Sequence, residues 1–194
     1  MSPDKPTRER FVESKIGVFR EEFPGPRFVY THDYLPGHSQ ISGKCLPEEI
    51  DLFRERLTEA NRQMRRDLEV IIQSNPGAII IVAGDHGPYL TKNCVATGDD
   101  YDISEIARLD IQDRFGAFLA IRWPDENFAG YDEILVIQDI FPAVFANLFR
   151  DPVFLDARIE PRTISLGVIS GAKVANGIIR GGINDGEPLF LAPE

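Results

Sequence analysis

The chain has 194 residues, 43% of them hydrophobic and 27% charged, the balance of a soluble globular chain that forms one domain or part of a larger one. Its net charge of −10 argues against nucleic acid as a partner, because phosphates would be repelled. The longest apolar run is far shorter than the ~20 residues a membrane helix needs, and the polar, proline-containing N-terminus does not read as a signal peptide.

Two cysteines, Cys45 and Cys94, are too few for a disulfide framework. They allow one bridge, and their spacing fits no zinc motif.

Residues 1–7 read as a loose N-terminus. From Arg8 to Phe23, Phe11, Val12, Lys15, Ile16, Phe19 and Phe23 fall on one face at helical spacing, and Pro24-Gly25-Pro26 ends the helix. Arg27 to Thr31 is a short strand by residue type. It runs into His32-Asp33-Tyr34-Leu35-Pro36-Gly37-His38, a loop by its Pro-Gly pair.

Leu46-Pro47-Glu48-Glu49 opens the longest helix, with proline in the first turn and two acids at the positive end of the helix dipole. Ile50, Phe53, Leu57, Ala60, Met64, Leu68 and Ile71 then form one apolar face. The other face carries Arg54, Arg56, Glu59, Arg62, Arg65, Arg66 and Glu69, a solvated face interleaved with acids rather than an anion site. The pattern predicts a helix packed on a sheet.

After Asn75-Pro76-Gly77 comes Ala78-Ile79-Ile80-Ile81-Val82-Ala83, a β-branched run that reads as a strand buried on both faces of a parallel sheet. It ends in Gly84-Asp85-His86-Gly87. Strand, helix, strand from Phe28 to Val82 implies a right-handed crossover between parallel strands.

Pro88 to Asp102, with Asp99-Asp100 in it, reads as a surface loop. A short helix follows over Ile103 to Asp110, capped by Asp102 or Ser104. Arg114 to Trp123 reads as a strand ended by Pro124, and Asp139 to Phe149 as a helix with Pro142 tolerated in its first turn. Beyond Asp151-Pro152 the texture changes. Thr163 to Ile169 alternates like a strand, and Gly167, Gly171, Gly177, Gly181, Gly182 and Gly186 punctuate the remainder.

The expected fold class is therefore α/β: a three-layer, mostly parallel sheet flanked by helices over residues 8–155, with a Gly-rich tail or small β hairpin over 156–194.

The histidines are His32, His38 and His86, and all follow predicted strand ends. If the strands are parallel neighbours, Asp85, His86, His32 and His38 converge on the carboxyl edge, where open α/β sheets keep their ligands. A divalent cation held by Asp85 and His86, zinc or manganese in preference to calcium or magnesium, would polarise a phosphoryl or sulfuryl oxygen. A second histidine would hold a non-bridging oxygen or protonate the leaving group. The plainer reading of Asp85-His86 is a strand-to-turn junction with a polar pair in water.

This ordered set resembles the C-terminal part of the sulfatase-like branch of the alkaline phosphatase superfamily, which includes arylsulfatases, lipoteichoic acid synthases and lipid A phosphoethanolamine transferases. The resemblance rests on strand-Gly-Asp-His-Gly, the preceding long helix and an upstream Phe-Val-Tyr-x-His-x-x-x-Pro-x-His loop. It continues through Asp113-Arg114-Phe115-Gly116-Ala117-Phe118-Leu119-Ala120-Ile121 and Asp139-Ile140-Phe141-Pro142-Ala143-Val144-Phe145, and so spans Phe28 to Phe149.

The resemblance implies a partial alkaline-phosphatase-like fold and a sulfate- or phosphate-ester substrate in the complete enzyme. Asp85 and His86 match downstream metal ligands, and His32 and His38 match histidines of the substrate or second-metal loop. The family more often has one residue fewer between those two histidines. Members often work outside the cytoplasm, attached to a membrane by upstream segments.

The family's nucleophile, a Thr, Ser or modified Cys, has no counterpart in this chain, and no Cys/Ser-x-Pro-x-Arg pattern occurs. The expectation is the metal-binding C-terminal half of a hydrolase or phosphotransferase, with the N-terminal half of the fold missing and no turnover from this chain alone. The alternatives are a non-catalytic binding module that retains the fold, and a small α/β protein in which Asp85-His86 shapes a turn. A truncated sheet also leaves apolar surface open, which predicts self-association.

Overall fold

The computed structural model describes residues 8–37, 48–88, 90, 107–124, 133–160, 174–175, 178–183 and 185. The described chain is mostly helical. Helix α1 spans Arg8–Arg20 and α2 spans Glu48–Ser74; strand β1 is Ile80–Ala83, α3 is Arg108–Phe115, β2 is Leu119–Arg122, and α4 is Ile140–Phe149. Two short strands, β3 at Val174–Ala175 and β4 at Ile178–Ile179, pair antiparallel. No helix among the described residues is long and apolar enough to cross a membrane.

Helix α2 packs along α1. Three contacts fix their relative direction: Arg8 to Glu59 at 3.1 Å, Lys15 to Asp67 at 2.6 Å, and the Asn75 side-chain amide to the Phe19 carbonyl at 2.8 Å. Residue numbers rise together along both helices, so the two run the same way. The chain must therefore travel back between them. Residues 27–37 make that return: Arg27 reaches the Val18 carbonyl, Asp33 reaches Lys15, and Gly37 lies beside Arg56. This stretch is extended, but it joins no sheet.

The expected three-layer, mostly parallel sheet is not what forms. Among the described residues β1 pairs with β2 alone, and antiparallel, with Ile80 opposite Arg122 and Ala83 opposite Leu119. Of β1 only Ile80 is buried, so the β-branched run is half-covered rather than enclosed on both faces. The physical reason lies beyond the strand. Gly84 N–H donates to the Phe118 carbonyl at 2.8 Å and Gly87 N–H to the Arg114 carbonyl at 2.9 Å, which carries the contact with the returning segment past β1. An apolar β-branched run states that a strand forms; it does not state the direction of the neighbour. With Arg27 to Thr31 outside any sheet, the crossover expected from Phe28 to Val82 is absent, and α2 packs on a helix.

The other boundaries shift in ways the caps explain. α3 begins after Ala107, whose N–H donates to the Asp110 carboxylate at 3.0 Å, and closes at Gly116, whose N–H reaches the Gln112 carbonyl. It thus takes Arg114 and Phe115 from the expected strand, which shortens to β2. α4 lies within its expected span and ends at Arg150 in the left-handed conformation (φ 52°). Asp151 then accepts from Val153 N–H at the head of a 3₁₀ turn over Pro152–Ala157. The expected Leu46-Pro47 helix start, the Asp102 and Ser104 caps, Asp99-Asp100, Cys45, Cys94 and the Thr163 to Ile169 strand lie outside the described residues.

The apolar core among the described residues is small: Phe19, Phe53, Ile80, Ile111, Ile140, Ala143, Val144 and Ala146. Buried beside it are the charged side chains of Lys15, Glu49, Asp67, Arg108 and Asp139.

Candidate functional site

The Gly84-Asp85-His86-Gly87 turn is held at both ends by the hydrogen bonds to Phe118 and Arg114. Gly87 is buried, and a Cβ there would collide with the backbone carbonyl of Asp113, so only glycine lets the two segments meet. The two stretches that carry the resemblance, Gly84 to Gly87 and Asp113 to Ile121, are thus in direct contact.

Within the turn, the Asp85 carboxylate accepts the His86 backbone N–H at 3.1 Å through Oδ1. The His86 ring nitrogen Nδ1 lies 2.7 Å from the Gly87 carbonyl. A carbonyl only accepts, so Nδ1 carries the proton, and in the neutral ring the lone pair sits on Nε2. Nε2 is 3.6 Å from Asp85 Oδ2. A backbone carbonyl that fixes the Nδ1 tautomer is the usual outer support of a histidine that ligates through Nε2. Two ligand atoms on one tetrahedral zinc stand roughly 3.3–3.5 Å apart, given metal–ligand bonds of about 2.0–2.2 Å. The 3.6 Å between Asp85 Oδ2 and His86 Nε2 lies just beyond that range and is equally the spacing of an Asp–His pair. The Asp85 side chain is 87% exposed and that of His86 26%, so the carboxylate faces water while the imidazole is partly enclosed.

His32 does not sit at a strand end, because residues 27–37 form no strand. Its ring stacks on Tyr34 with centroids 5.3 Å apart, and it is exposed. Its neighbour Asp33 is committed to Lys15 at 2.7 Å. His38 lies outside the described residues. Among the described residues no group of three or more His, Cys, Asp or Glu side chains could hold a metal ion. Asp85 and His86 are therefore brought together, and His32 is not brought to them as part of such a group.

Two residues that position the candidate loop were absent from the candidate set. Lys15, with a side chain 2% exposed, bridges Asp33 on the return segment and Asp67 on α2. The signal was in the pattern, since Lys15 falls on the apolar face of α1 and Asp67 falls three residues after Met64 on that of α2. A charge on a buried face calls for a counter-charge.

No family model matches this chain, and no curated protein or solved structure matches it.

Proposed function

We propose that the chain contributes the metal-binding turn of a sulfatase-like hydrolase or phosphotransferase acting on sulfate or phosphate esters, with Asp85 and His86 as two ligands of a divalent cation. The observation that supports this reading is the His86 tautomer set by Gly87, with Nε2 facing the Asp85 carboxylate at 3.6 Å. When bound, a zinc or manganese ion supplies a Lewis acid for an ester oxygen.

The chain's own residues do the rest. Asp85 brings negative charge that favours the cation, and the Gly87 carbonyl holds the imidazole plane. His32, exposed and stacked on Tyr34, is the group in this reading that meets a non-bridging oxygen or protonates a leaving group, with His38 as its companion. No nucleophile is assigned in this chain, so the reading requires one from elsewhere and predicts no turnover of aryl sulfates or phosphate esters by the chain alone. The corrected fold takes nothing from the local geometry of the turn, which depends on Gly84, Gly87 and the Arg114 and Phe118 carbonyls.

A second reading, a non-catalytic binding module, is favoured by one observation: the absence of a third ligand beside Asp85 and His86 among the described residues.

Calorimetric titration of the full chain with zinc and with manganese tests the proposal. Asp85→Ala and His86→Ala should each weaken binding by about tenfold or more, the scale of losing one ligand or its support. Equal affinity in parent and variants would reduce the turn to a structural feature. Clear turnover by the isolated chain would overturn the assignment of the nucleophile to another segment.

A further inference from the structure

Residues Phe28 to His32 are strand-forming in type and extended in conformation, yet among the described residues none of their backbone groups has a hydrogen-bond partner. Their side chains are open as well: Phe28 is 73% exposed, Val29 38% and Tyr30 75%. The two ends are tied to α1, Asp33 through Lys15 and Arg27 through the Val18 carbonyl. A strand with a free edge is a template for another strand.

The open surface continues onto α4. The Phe28 ring lies 6.1 Å from Phe141, and Phe141, Phe145 and Phe149 follow at four-residue spacing with centroids 6.0 and 6.4 Å apart. These three rings stay 49%, 41% and 64% exposed. α4 is apolar almost all round, the composition of a helix covered on every side.

We propose that Arg27 to Asp33 is an assembly edge at which two copies of this chain pair antiparallel about a two-fold axis through Tyr30, flanked by the two α4 aromatic stripes. The sequence selects this occupant and this direction. With Tyr30 opposite its own copy, Arg27 stands opposite Asp33 at both ends, Phe28 opposite His32, and Val29 opposite Thr31. Unlike charges meet, and the inner pairs are the aromatic and β-branched pairs that stabilise antiparallel ladders. A parallel in-register pairing would set Arg27 on Arg27 and Asp33 on Asp33. Arg27 and Asp33 are also held in place by Glu21 and Lys15, so the charged ends are ordered before contact. The antiparallel arrangement is isologous and closes at two copies.

The test uses the full chain in analytical ultracentrifugation across concentration, with hydrogen exchange on the same samples. The expected result is a reversible dimer whose amides at 28–32 become protected as concentration rises. The pair Val29→Pro with Tyr30→Pro removes an N–H on each side of the strand and should weaken association roughly tenfold or more, with the helical circular dichroism unchanged. In a background with Cys45→Ser and Cys94→Ser, Tyr30→Cys should cross-link as a dimer under mild oxidation. A chain that stays monomeric, a dimer without protection at 28–32, or a dimer indifferent to the two prolines would each overturn the proposal.

Discussion

Gly87 lies flat against the backbone carbonyl of Asp113, in space that a side chain cannot occupy. The contact locks the turn that holds Asp85 and His86 onto the C-terminal end of α3. Gly87→Ala forces one of the two backbones to move, and strain of that kind costs roughly 1–3 kcal/mol. At about 2–4 °C per kcal/mol for a chain of this size, calorimetry should read a clear drop in melting temperature. Gly77→Ala is the control: a Cβ there meets nothing within 4 Å, and the change should stay within about 0.5 kcal/mol.

Lys15 carries the one buried ammonium among the described residues, between Asp67 at 2.6 Å and Asp33 at 2.7 Å, with its charge also 5.4 Å from the Phe11 ring centre. Lys15→Ala leaves the Asp67 side chain, 12% exposed, with Arg66 as its remaining cationic neighbour among the described residues, at 3.7 Å. Breaking a buried pair on one side costs about 3–5 kcal/mol, whereas replacing both partners by apolar groups is often neutral. Lys15→Met with Asp67→Leu should therefore recover most of what Lys15→Ala loses in denaturant melts. Asp33→Asn should cost less than Lys15→Ala, since its side chain is 39% exposed and keeps water as a partner.

Glu59 accepts two hydrogen bonds from Arg62 at 2.8 Å each, one from Gln63 at 3.0 Å, and one from Arg8 of α1 at 3.1 Å. The Arg62 hydrogen bonds, the largest influence, hold the Glu59 carboxyl below its ordinary value. A carboxyl that is more acidic when folded contributes its stability above the ordinary carboxylate range and loses it as pH falls through the lowered value. In a carbon-detected titration, the Glu59 midpoint should lie lower in the parent than in Arg62→Met. Coincident midpoints would remove Arg62 as the cause. The group faces solvent, so the difference should shrink as salt rises.

The sequence made the helices legible and left the pairing obscure, for identifiable reasons. α1, α2 and α4 each announce themselves by apolar residues every three or four positions over ten residues or more. The run Ile79 to Val82 announces a strand, but a four-residue strand carries no mark of its neighbour's direction, and β2 approached from the opposite sense. Arg27 to Thr31 has the residue types of a strand without a pairing partner among the described residues, and propensity alone does not make a ladder. Asp85 and His86 were legible because they adjoin in the chain. The argument that set His32 beside them required a parallel sheet, and β1 and β2 pair antiparallel. Lys15 and Asp67 were visible as charges on apolar faces; that they meet required knowing that α1 and α2 run side by side.

Arg122 closes the far end of the same strand pair. Its guanidinium donates to the Ala78 and Pro76 carbonyls, both at 3.0 Å, so one planar fork grips the turn that feeds β1. The Ala78 N–H is held in turn by the Asn75 carbonyl at 3.0 Å. A lysine ammonium is a compact point charge and cannot span the two carbonyls as the fork does. Arg122→Lys should thus lose nearly as much as Arg122→Met, about 1–2 kcal/mol for two partly exposed hydrogen bonds. Hydrogen exchange gives the sharper reading. The amides of Ala78 and of Ile80 to Ala83 should exchange faster in both variants, while those of α4 keep their protection, because among the described residues α4 shares no hydrogen bond with this turn. If Arg122→Lys retained the parent rates along β1, charge rather than the fork would be what holds the strand's entrance.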